Sequence, residues 1–202
     1  MFIRNENFKQ YIHRYPVVST LLTVNLAIYI LTLIPKLGDE VFYFGISVNG
    51  AIMQGEWWRI ITAMFLHGGF MHVLFNMFSL FLFGPELEKM AGKVRFLAIY
   101  FLSGIGGGLA TLLTQDPMYA TVGASGALFG IFGAFGAILY RYRHTMPELR
   151  QIMLPLIVIS VILTFLQSNV NAASHIGGLA TGFVLGLFFF KRKPTVVWRN
   201  RA

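Results

Sequence analysis

Four side chains stand out because they place hydroxyl, imidazole and amide groups inside apolar stretches, where such groups are costly: Ser125, His175, His72 and Asn76. Asn25 and Ser79 are lesser members of the same set. Ser125 lies in Gly123-Ala124-Ser125-Gly126-Ala127-Leu128-Phe129-Gly130, and His175 opens a register with Gly178, Gly182 and Gly186. A serine beside a histidine base can act as a nucleophile, provided donors are ready for the oxyanion that develops. A serine at the start of a helix has an unpaired backbone N–H and the positive end of the helix dipole, both suited to that anion. His72 and Asn76 are four residues apart and share one helix face.

Each feature also has an ordinary reading. Glycine at every fourth position packs membrane helices, a lone serine caps a helix, an asparagine bridges helices and a histidine can sit at an interface. Spacing by itself leaves open whether a shared site cuts, carries or packs.

The elements that must position these groups follow from composition. The 202 residues are 56% hydrophobic and 12% charged, with mean hydropathy +0.66, which excludes a water-soluble fold. Six apolar stretches, near residues 17–34, 70–83, 94–113, 123–140, 152–166 and 172–190, predict an all-α polytopic membrane protein with a bundle of six transmembrane helices. Residues 1–16 are expected to form a short cytoplasmic segment and not a cleavable leader, 17–190 the bundle, and 191–202 a basic cytoplasmic tail. The second and fifth stretches are short, which predicts room for water. Residues 35–69, with Trp57 and Trp58, predict a loop lying partly in the membrane surface.

With six spans both ends share one side, and that side carries fourteen of the sixteen Lys and Arg residues; only Lys36 and Arg59 lie opposite. The excess predicts cytoplasmic termini in a cell membrane. The net charge of +8 is explained in this way, and no nucleic-acid partner is expected. Spans two, four and six then run inward from the external side, so His72 with Asn76, Ser125 and His175 lie at similar depth. The absence of cysteine excludes disulfides and thiol chemistry. His67, His72 and His175 lack a nearby carboxylate or thiolate, so neither a metal site nor a cofactor is expected.

These residues resemble the rhomboid family of intramembrane serine proteases. Glu56-Trp57-Trp58-Arg59 matches its E-x-W-R motif, and His67 with His72 and Asn76 matches H-x-x-x-x-H-x-x-x-N. Gly123, Ser125, Gly126 and Gly130 match G-x-S-G-x-x-x-G; His175, Gly178 and Gly182 match H-x-x-G-x-x-x-G; Gly84 and Glu88 fit G-x-x-x-E. The resemblance covers about residues 15–192. It implies a rhomboid-like bundle with Ser125 as nucleophile, His175 as base, and an oxyanion hole from the Ser125 N–H, Asn76 and His72. The implied partners are the lipid bilayer and transmembrane protein substrates, cut near the external surface. Phe129 stands where relatives carry a tyrosine that stacks on the histidine, and Ser174 where alanine often precedes it. No carboxylate lies inside the spans to orient His175, so packing and hydrogen bonds must do so.

Two other readings remain at this stage: an inactive rhomboid-like binding or chaperone protein, against which both dyad residues speak, and a small transporter. A transporter needs polar groups reaching past the midplane, whereas here they stop near one surface. The oligomeric state is left open.

Overall fold

The computed structural model describes residues 5–167 and 170–191. Helix α1 (Phe8–Arg14) begins with a reciprocal capping box between Asn7 and Gln10. It meets α2 (Pro16–Thr32) at 110°, with Pro16 at the first helical position, where a missing N–H is tolerated. Tyr11 stacks on Phe81 at 5.1 Å and anchors this corner.

Residues 35–69 fold into short elements: α3 (Leu37–Gly45), β1 (Ser47–Val48), α4 (Asn49–Met53), α5 (Arg59–Thr62) and a 3₁₀ turn over Ala63–Phe65. Long helices follow: α6 (Phe70–Ala91), α7 (Lys93–Thr114), α8 (Ser125–Arg141), α9 (Pro147–Leu166) and α10 (Ala172–Phe189), with β2 (Ala120–Thr121) between α7 and α8. The six expected spans correspond to α2 and α6–α10. Four of these helices are long and apolar enough to cross a membrane on their own, and α2 passes the same test joined to α1. The chain is a polytopic helical membrane protein. Of the basic residues expected at the ends, Arg4 and those beyond Lys191 lie outside the described residues.

The lengths of the spans correct one expectation. The second and fifth are not short, since α6 has 22 residues and α9 has 20, while α2 and α8 have 17 each. Hydropathy stops at Glu86, Glu88 and Lys89, but backbone hydrogen bonding continues through them to Ala91. Glu88 turns inward, where its carboxylate accepts from the N–H groups of Val17 at 3.2 Å and Val18 at 2.9 Å, satisfying two free donors at the start of α2.

At the centre stands α8, with thirteen of its 17 residues buried; an all-round apolar helix belongs in such a position. It packs most extensively on α10, and α10 in turn on α7. The small residues expected to allow close approach lie at these contacts: a Cβ on Gly178 would meet the Gly126 carbonyl, one on Gly182 the Gly130 carbonyl, and one on Gly130 the Ser103 side chain. α9 is peripheral, with only Leu149, Met153 and Thr164 buried. Leu156 and Ile157 pack partly against the core, while Val158, Ile159 and Ile162 face outward as a lipid-facing helix requires. A broad groove of about 1080 Å³ between α2 and α6 is likewise apolar and does not include Ser125 or His175.

Candidate active site

Ser125 is the first residue of α8, so its N–H precedes the helical ladder. The turn before it depends on Gly123, whose φ of +125° disfavours a side chain. A Cβ there would also lie 2.6 Å from His72 Nε2. Two contacts hold this turn against the external segment: Gly123 N–H donates to the Ala63 carbonyl at 2.8 Å, and β2 pairs antiparallel with β1, Ser47 opposite Thr121.

The Glu56-Trp57-Trp58-Arg59 segment organises the other side of that scaffold. Arg59, 5% exposed, donates Nε to Glu56 at 2.6 Å and Nη1 to the carbonyls of Tyr43 and Ile46, both at 2.8 Å. Trp58 donates Nε1 to the Phe44 carbonyl at 3.2 Å. The motif therefore ties α3 to α5. Trp57 and Trp58 are both about half exposed, as an interfacial position requires. Asn49, not singled out from sequence, donates its amide to the carbonyls of Gln115 and Asp116, both at 3.1 Å, closing the external end of α7.

His175 lies in the first turn of α10, buried, with its ring stacked on Phe129 at 4.0 Å between centroids and 18° between planes. Phe129 is one helical turn beyond Ser125, so the imidazole lies beside the start of α8. Stacking needs only the ring, which phenylalanine supplies as well as tyrosine. No hydrogen bond joins Ser125 to His175 among the described residues, and unliganded sites often close such contacts only with substrate. The histidine is held instead at Nδ1, 2.9 Å from Thr164 Oγ1 on α9, a partner that sequence reasoning missed. A threonine in an apolar helix carries no signal that separates it from packing.

His72 faces the Gly123 turn, and its Nδ1 accepts from Gly68 N–H at 3.4 Å. Asn76 is buried and donates Nδ2 to the His72 carbonyl at 3.0 Å, leaving one amide hydrogen for a ligand. His67 packs edge-on against His72 at 5.1 Å. Burial, reinforced by that neighbouring imidazole, holds the His67 pKa down to about 4. Ser174 backs the site: its N–H donates to Asn171 Oδ1 at the cap of α10, and its hydroxyl fills the gap facing Gly107 and Gly126. Beside Ser125 a cavity of about 30 Å³ has Ser47, Thr111, Thr121 and Ser174 among its lining residues, with room for a water molecule. Four sequence-selected groups thus gather at one end of the bundle.

The chain is similar to known proteins. A family model described as Rhomboid domain matches residues 54–192. The chain is 40% identical over 197 residues to YdcA of Bacillus subtilis (strain 168), covering 96% of this chain and 98% of that protein. It is 42% identical over 144 residues to Rhomboid protease GluP of the same organism, covering 69% of this chain and 27% of GluP. With Rhomboid protease AarA of Providencia stuartii the identity is 31% over 201 residues, covering 84% of this chain and 71% of AarA.

Proposed function

The chain belongs to the rhomboid family of intramembrane serine proteases, and from that premise we propose that Ser125 is its nucleophile and His175 its general base. The observation that carries this reading is the clamped His175 ring, stacked on Phe129 one turn from Ser125 and bound at Nδ1, which leaves Nε2 for the serine.

Ser125 Oγ attacks the scissile carbonyl carbon while its proton passes to His175 Nε2. The carbonyl oxygen, now negative, is met by the Ser125 N–H, the second amide hydrogen of Asn76 and the His72 ring. Collapse breaks the C–N bond, and the same proton goes from Nε2 to the leaving amine. A water then attacks the acyl ester and gives a proton to Nε2; collapse breaks the bond between the acyl carbon and Ser125 Oγ, and Nε2 returns the proton to Oγ. The small cavity beside Ser125 is suited to holding that water.

The substrates in this reading are transmembrane segments of membrane proteins, cut near the external surface of the cell membrane, with both termini of the protease cytoplasmic. A regular helix hides its carbonyls, so small and helix-destabilising residues near the scissile bond favour cleavage.

The test is labelling of the detergent-purified protein by a fluorophosphonate probe. Labelling is expected in wild type and lost in Ser125→Ala and in His175→Ala. Unchanged labelling of Ser125→Ala overturns the assignment. A folded wild type that reacts with neither this probe nor a second class of serine inhibitor points instead to a non-catalytic binding protein.

A further inference from the structure

We propose that Thr164 is a positioning residue that holds His175 in the tautomer required by the Ser125–His175 reaction, an inference that rests on the dyad assignment. Of the three buried residues on α9, Thr164 alone is polar, and it lies at the same end of the bundle as His175. Its Oγ1 is 2.9 Å from the Ser160 carbonyl and 2.9 Å from His175 Nδ1. A carbonyl oxygen only accepts, so for both contacts to be hydrogen bonds the single hydroxyl hydrogen of Thr164 goes to Ser160. An oxygen lone pair is then left facing Nδ1, which must carry the ring hydrogen. Nε2 keeps its lone pair free for the Ser125 proton.

Phe129 cannot make this choice. Stacking at 18° fixes the plane of the ring, but it leaves both the 180° flip and the tautomer undetermined. Thr164 settles both. In serine hydrolases with a triad a carboxylate holds the base in this way. Here a neutral hydroxyl takes the position, made acceptor-only by its own helix. The alternative, that Thr164 merely fills space, predicts that valine, of nearly equal shape, serves equally well.

The experiment compares full-length wild type, Thr164→Val, Thr164→Ser and His175→Gln in detergent. The fluorophosphonate labelling rate is read beside the ¹⁵N spectrum of the histidine side chains, with His175→Gln assigning the His175 signals. Wild type and Thr164→Ser are expected to carry hydrogen on His175 Nδ1. Thr164→Val is expected to shift toward hydrogen on Nε2 and to label about tenfold more slowly, the scale of one neutral hydrogen bond. An unchanged tautomer in Thr164→Val overturns the proposal, as does Thr164→Ser labelling as slowly as Thr164→Val. Should Thr164→Val fail to fold, Thr164→Ala takes its place under the same criteria. If His175→Gln labels at the wild-type rate the dyad assignment itself is wrong, and the tautomer comparison still judges the Thr164 contact.

Discussion

Asn76 shows how a single side chain is divided between structure and chemistry. One amide hydrogen is committed to the His72 carbonyl and the other is available to an oxyanion, so Asn76→Ala removes a donor without removing nucleophile or base. The expected outcome is a fall of about 10²- to 10³-fold in the rate of labelling by the probe, with residual reaction still at Ser125. His67, in the loop before α6, gives a pH dependence whose sign follows from its lowered pKa. The unfolded chain binds a proton at His67 near pH 6.5, the folded protein only near pH 4, so stability is full above about 6.5 and declines as pH falls toward 4. The full shift corresponds to about 3 kcal/mol. Thermal unfolding measured between pH 7.5 and 4 is expected to show this loss, with a flatter profile in His67→Gln. The candidate residues were legible because polar groups in apolar spans are conspicuous. Thr164 was not, since one hydroxyl in an apolar helix is chemically unremarkable until its neighbour is known.

Among the elements, the α8–α10 contact decides whether the catalytic groups meet. Gly178→Val places a branched side chain against the Gly126 carbonyl at the turn that carries Ser125. The expected cost is about 1–3 kcal/mol or more, together with slower labelling. Gly136→Ala is the matched control: the nearest atom to a Cβ there is Phe183 Cδ2 at 3.5 Å, ordinary contact distance. That variant is expected to keep its melting temperature and labelling rate, so a comparable loss in both would refute the close-approach account. The glycine register was readable from sequence, and so was the existence of each long helix. Their ends were not. α6 continues past the apolar stretch because Glu88 finds backbone donors on α2, a partner seventy residues away in the chain.

For the whole molecule, the asymmetry of Lys and Arg predicts which face of the bundle meets the cytoplasm. The chain has no cysteine, so single introduced cysteines report topology cleanly. Met118→Cys, in the exposed segment between α7 and α8, is expected to react with a membrane-impermeant maleimide on intact cells. His144→Cys, between α8 and α9, is expected to react only after lysis. The opposite pattern would invert the orientation. The sequence alone determined the membrane class and the six apolar stretches, and it set the orientation and shared depth expected of Ser125, His175, His72 and Asn76, because hydropathy, charge and helical period are properties of a chain read along one dimension. The tertiary structure alone decided that Phe129 covers the His175 ring, that Thr164 binds its Nδ1 and that Glu88 caps α2. Those contacts depend on how far each helix rotates about its axis and how closely it crosses its neighbours, and side-chain packing across the bundle sets both.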